Sequence, residues 1–153
     1  MSGLVDGFGR VHRDLRISLT DHCNLRCTYC MPAEGVPWLP RNTLLSVTEL
    51  MRIVEIAVAE GVTEVRLTGG EPLLRPDIVD VVSAINSIHN APEISITTNG
   101  IMLPRLAQRL ADAGLARVNI SLDTLDRARF KEMTRRDRLG DVLDGIDAAK
   151  VEP

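Results

Sequence analysis

All three cysteines of the chain lie within Asp21-His22-Cys23-Asn24-Leu25-Arg26-Cys27-Thr28-Tyr29-Cys30. Thiolates at C-x3-C-x2-C spacing can converge on one soft metal centre, and iron–sulfur clusters are the usual occupants of all-cysteine sites of this kind. A four-iron cluster takes four ligands, so three thiolates leave one iron open to a small molecule, as an open position does at catalytic zinc. Two other readings fit the spacing. Steps of four and then three also place side chains on one helical face, where cysteines serve as small core residues. Three Cys with His22 or a distant His could hold structural zinc, although such sites usually pair two C-x2-C knuckles. Confinement of every cysteine to one short window favours the cluster. A disulfide framework is disfavoured by the odd count and by the start Met1-Ser2-Gly3-Leu4-Val5-Asp6, which lacks the charged and apolar parts of an export signal.

The rest of the chain must position those thiols. Its 153 residues suit one domain with a real core, and 44% hydrophobic with 25% charged residues is ordinary for a soluble globular protein. A net charge of -3 with 3% aromatics argues against a nucleic-acid partner. No apolar run approaches the roughly 20 residues of a membrane span. Reduced thiols without an export signal point to the cytoplasm.

Four β-rich runs, at residues 15–20, 63–68, 93–98 and 117–122, alternate with helical patterns. The first helix opens with the capping box Ser46-Val47-Thr48-Glu49 and closes at Gly61. Pro76 and Asp77 open the second, whose Ile78, Val81, Val82, Ile85 and Ile88 follow the helical period. Pro104 and Gly114 bound a third, a fourth falls near 126–133, and Val142, Leu143 and Ile146 mark a last one. Such β-α repetition implies a parallel sheet with right-handed crossovers.

The strands alternate instead of reading as continuous apolar runs. One face carries Arg16, Ser18, Thr20, Arg66, Thr68, Ser95, Thr97, Asn119 and Ser121; the other is aliphatic. Helices on one side and a polar concave side on the other fit a (β/α) barrel or an arc of one. A doubly wound sheet would bury Arg16 and Arg66 under helices, which is costly without partners. Each strand's C-terminal end meets something unusual: the cysteine loop, Gly69-Gly70-Glu71-Pro72, Asn99-Gly100, then Asp123. Barrel enzymes build their sites at that rim.

The cysteine motif followed by Gly69-Gly70-Glu71-Pro72 resembles the radical S-adenosylmethionine (SAM) superfamily. Within it, residues 15–21, Cys30-Met31-Pro32, residues 65–75, Thr97-Thr98-Asn99-Gly100 and Asn119-Ile120-Ser121-Leu122-Asp123 look like the GTP 3′,8-cyclases of molybdenum cofactor biosynthesis, over residues 10–149. The resemblance implies a partial (β/α) barrel of the radical SAM type, of which residues 1–153 form the N-terminal part with about four βα units. It implies that Cys23, Cys27 and Cys30 hold a [4Fe–4S] cluster whose free iron binds SAM. Tyr29, Gly70 and Ser121 would contact SAM, with Gly70 letting the backbone approach the methionine part. Arg16, Arg66 and Thr97 would contact GTP. Either arginine could instead form a structural ion pair with Glu64, Glu71 or Asp123. The implied activity is that of a radical SAM lyase: the reduced cluster cleaves SAM, the resulting 5′-deoxyadenosyl radical takes hydrogen from ribose C3′, and the sugar closes onto guanine C8. A flavodoxin- or ferredoxin-like electron donor and a homodimer belong to the same expectation.

The family pattern also contains what this chain lacks, namely two further βα units, three more cysteines for a second cluster and a Gly-Gly tail. A separate chain supplying that half is one expectation, and a non-catalytic cluster- and SAM-binding remnant is the alternative, as is a radical SAM enzyme of another subfamily. The final Val151-Glu152-Pro153 is unlike the expected continuation and suggests a split or frameshifted reading frame. His12, His89 and the run Arg135-Arg136-Asp137-Arg138 read as solvated surface, with a triphosphate contact open for the run.

Overall fold

The computed structural model describes residues 3–150, so readings that rest on Met1, Ser2 and Val151-Glu152-Pro153 lie outside the described residues. Two short strands, β1 (Leu4–Val5) and β2 (Val11–His12), pair antiparallel as an N-terminal hairpin. The main sheet is parallel, in the order β3 (Asp14–Ser18), β4 (Glu64–Thr68), β5 (Glu93–Thr98) and β6 (Arg117–Ile120). Each strand is followed by a crossover that carries a helix or, beyond β6, two. The helices are α1 (Val47–Ala59), α2 (Ile78–Asn86), α3 (Leu103–Asp112), α4 (Arg127–Thr134) and α5 (Leu139–Ala148).

Local chemistry explains the boundaries. Ser46 accepts from the Glu49 amide while Glu49 reaches back to the Ser46 amide, so the expected capping box starts α1. At α2 the expectation shifts. Asp77 stands at the N-cap but makes no capping bond there, because its carboxylate is held 2.7 Å from Arg75 Nε. The buried Arg75 also donates to the carbonyls of Leu45 and Leu19, fastening the segment before α1 to the end of β3.

Ile17, Val65, Leu67, Ile94 and Ile96 turn one face of the sheet into the core. Leu50 and Val54 of α1, Ile78, Val81, Val82 and Ile85 of α2, and Leu103 and Leu110 of α3 cover it. The opposite face holds Arg16 beside Arg66, then Ser18 beside Thr68, with Thr97 beside Asn119 further across. This one-sided covering is the alternation that the strands predict. A second cluster of Leu25, Ile101, Phe130, Leu139 and Val142 packs Cys23 and Cys27 against α4 and α5. The cysteine loop therefore rests on the C-terminal helices.

Candidate functional site

Beyond β3 the chain turns into the cysteine loop. Its tight turn is closed by the Cys30 and Met31 amides, both donating to the Cys27 carbonyl. The three cysteines are free thiols, with Cys30 the exposed one. Burial pushes the Cys23 and Cys27 thiols above their ordinary range, the former against a bond from the Leu25 amide. Arg26 braces the loop from inside by donating to the Cys23 and Leu25 carbonyls at 2.7 and 2.8 Å. Its guanidinium lies 5.1 Å from the Trp38 ring, and that ring stacks on His22 with centroids 5.0 Å apart.

The second wall is the turn after β4. Gly69 adopts φ 147°, a conformation that favours glycine, and the Gly70 amide donates to the Thr20 carbonyl at 2.7 Å. A Cβ on Gly70 would strike the Asp21 and His22 carbonyls. The space that the resemblance reserves for SAM at Gly70 is thus already needed on one side by the chain's own backbone. Glu71, buried, then crosses to the end of β5. Its carboxylate accepts from the Thr98 hydroxyl and the Asn99 amide, each at 2.7 Å, and from the Leu73 amide at 3.0 Å. Asn99 in turn donates to the Asn24 side chain at 2.7 Å, so β4, β5 and the cysteine loop are tied into one rim.

These parts surround a cavity of about 230 Å³ lined by Cys23, Cys27, Cys30, Tyr29, Gly70, Glu71, Thr97, Asn99, Ser121 and Asp123, among others. Tyr29 reaches across it and donates to Asp123 at 2.7 Å. That bond, with some burial, holds the phenol above its usual range. A larger cavity of about 580 Å³ lies elsewhere, beside β6 and α3, and its lining offers no thiol, imidazole or hydroxyl. The thiols, the phenol and the hydroxyls gather at the smaller one.

The donor set fits a cluster. No three thiol, imidazole or carboxylate groups among the described residues stand close enough to share one metal ion. Thiolates of a four-iron cluster each bind a different iron, so the three need only face one cavity, and they do. His22 is occupied by Trp38 and does not join them.

Seven of the nine residues singled out by sequence, Cys23, Cys27, Cys30, Tyr29, Gly70, Thr97 and Ser121, line this one cavity. Arg16 and Arg66 do not. They lie on the same concave face but at the middle of their strands, paired in register and below the C-terminal rim. Neither forms an ion pair among the described residues: Glu64 and Glu93 are taken by Arg117, and Asp123 by Tyr29. The Asn119 side-chain nitrogen, on this face, is buried without an acceptor among the described residues. Sequence reading missed the roles of Glu71, Asn24, Asn99, Asp123 and Arg26. It also placed Arg135 in a solvated run, whereas Arg135 is half-buried and donates to the carbonyls of Arg26 and Met31. The rest of that run is exposed, with Asp137 paired to Arg127 at 2.8 Å and Arg138 to Asp141.

Comparison with known proteins meets this geometry. The chain is 60% identical over 148 residues to the GTP 3′,8-cyclase of Mycobacterium sp. (strain KMS), covering 96% of this chain and 42% of that one. It is 59% identical to the enzyme of the same name from Mycolicibacterium smegmatis, of which it covers 41%. The chain thus spans less than half the length of these curated relatives. Among solved structures, methylornithine synthase superposes with a TM-score of 0.65 at 15% identity, over 90% of this chain and 41% of the other. SuiB of Streptococcus suis bound to S-adenosylmethionine superposes with a TM-score of 0.61 at 23% identity, over 80% and 26%. Both show a shared fold. Among the described residues no helix is long and apolar enough to cross a membrane. The sequence profile of the radical SAM superfamily matches residues 17–152, and with three thiols gathered beside the Gly-Gly-Glu turn the chain belongs to that superfamily, whose cofactors are a [4Fe–4S] cluster and SAM.

Proposed function

We propose that this chain is the SAM-cleaving, N-terminal part of a GTP 3′,8-cyclase, a radical SAM lyase that joins ribose C3′ of GTP to guanine C8. The observation that supports it is the adjacency of two sites on one polar face. The thiol cavity lies at the strand ends, and the unpaired Arg16 and Arg66 lie side by side below it. Two guanidiniums opposite each other repel, and an anionic or acceptor-rich ligand between them relieves that. GTP offers both a triphosphate and a guanine acceptor edge.

Cys23, Cys27 and Cys30 would hold the cluster. Bound there, it supplies the electron for reductive cleavage of SAM. The chain's own residues do the positioning. Gly69 and Gly70 present backbone to the cavity, Ser121 offers a hydroxyl, and the exposed Tyr29 shields the mouth. Thr97 and the unsatisfied Asn119 amide face the substrate side of the same surface. A flavodoxin- or ferredoxin-like protein would donate the electron, and the cytoplasm would be the setting. The part of the curated relatives that this chain does not span would supply the rest of the enzyme.

The test is 5′-deoxyadenosine formation by the anaerobically reconstituted, reduced chain, with and without GTP. Formation that rises with GTP is expected. Formation indifferent to GTP would move the chain to another radical SAM activity. None at all, with iron fully bound, would favour a cluster- and SAM-binding part without turnover.

A further inference from the structure

Arg135 follows the last turn of α4 with φ 55° and ψ 20°, the left-handed conformation that glycine usually fills at a helix end. A non-glycine residue there is uncommon and carries a backbone cost that surrounding contacts must offset. One nitrogen, Nη1, donates to the Arg26 carbonyl at 2.9 Å and to the Met31 carbonyl at 3.0 Å. Arg26 immediately precedes Cys27, and Met31 immediately follows Cys30. The guanidinium therefore clips together the two ends of the turn that carries both thiols.

The neighbouring backbone adds to this. The Arg26 amide donates to the Thr134 carbonyl at 2.9 Å and the Thr28 amide to the Met133 carbonyl at 2.8 Å. The end of α4 thus forms the backing of the cysteine loop, and Arg135 is its only long side chain aimed into that loop among the bonds just named. Lengthening or opening the turn would separate Cys27 from Cys30 without disturbing the sheet.

We propose that Arg135 is the positioning residue of the cysteine loop, its strained backbone placing a guanidinium that holds Cys27 and Cys30 at cluster-binding separation. This rests on the cluster reading above. Outer-shell partners of this kind are worth about 10–100-fold in metal affinity.

Arg135→Gly and Arg135→Lys separate positioning from mere structure. Glycine relieves the left-handed backbone, which offsets the loss of the two hydrogen bonds, so the thermal midpoint of the apo Arg135→Gly chain is expected to stay close to that of the parent. Its reconstituted form is expected to lose iron to an Fe(II) chelator about 10–100-fold faster. Arg135→Lys, which can still donate to both carbonyls, is expected to recover most of the retention. Equal iron retention in Arg135→Gly would overturn the proposal, and so would a fall in apo stability that tracks the loss of iron. Failure of the parent chain itself to take up about four irons would instead remove the cluster reading, and the proposal with it.

Discussion

Glu71 is 1% exposed, and every contact that its carboxylate makes is an acceptor contact. Burial drives its carboxyl above the usual range, while donors from Thr98, Asn99 and Leu73 pull the other way. Glutamine in its place keeps one acceptor oxygen but turns an NH₂ towards an N–H or O–H that then lacks a partner. Glu71→Gln is expected to destabilise the apo chain by about 1–3 kcal/mol in urea titration. Linkage fixes the pH trend. A carboxyl raised on folding contributes stability that is whole below its unfolded value and is lost as pH rises through its folded value. The gap between parent and variant should therefore widen as pH is lowered towards the ordinary carboxyl range; a gap that is constant or narrows would sink the assignment. The motif Gly69-Gly70-Glu71 was visible in the chain, but the use of Glu71 was not. Its partners Thr98 and Asn99 stand 27 and 28 residues away, where only the fold reveals them. The same holds for Arg135, 109 residues from the Arg26 carbonyl that it binds. Cysteines declare themselves by type and spacing, whereas a side chain serving distant backbone leaves no local pattern.

The elements were more legible than their contacts, because alternation and helical period are local properties. Strand runs expected to reach 20 and 122 end at Ser18 and Ile120. The difference is small in substance, since the Leu19 and Ser121 amides continue the ladder at 2.9 Å to Thr68 and Thr98. The β1–β2 hairpin was missed because two exposed residues per strand give no periodicity. The last helix corrects a finer point. Leu143 was read as part of its apolar face, yet Leu143 is 40% exposed and Gly145 is buried in its stead. A Cβ on Gly145 would meet the Gly100 carbonyl, so α5 approaches the loop after β5 more closely than any larger residue permits. Gly140, in the same helix, faces open space. This matched pair makes a clean test. Gly140→Ala is expected to stabilise by about 0.5–1 kcal/mol through helix propensity. Gly145→Ala is expected to destabilise by about 1–3 kcal/mol through overpacking despite the same propensity gain. Equal urea midpoints for the two variants would remove the close contact as the reason for glycine at 145.

At the scale of the whole molecule, the sheet order leaves β6 with one hydrogen-bonded neighbour, β5, among the described residues. Its other edge presents unpaired N–H and C=O groups, and such edges recruit further strands. Charges or proline usually blunt an edge of this kind. Here Arg117 is the only charged residue of β6, and it is drawn back to Glu64 and Glu93 at the strand starts. Beside the edge, Leu103, Ala107, Leu110, Ala111, Leu115 and Val118 line the cavity of about 580 Å³, giving apolar surface next to an open ladder. That combination predicts concentration-dependent association of this chain through β6 and α3. Light scattering across the micromolar range is expected to show mass rising with concentration. Ala111→Glu, which places a carboxylate on the half-buried lining of that surface without a helix breaker, is expected to shift the chain towards monomer. The thiol cavity shares no lining residue with that surface, so iron uptake should be unchanged in the variant. A parent chain that stays monomeric throughout the range would show that this edge is already protected. Association that Ala111→Glu does not weaken would place the contact elsewhere, with the exposed Leu4, Val5, Phe8 and Val11 of the N-terminal hairpin the next surface to alter.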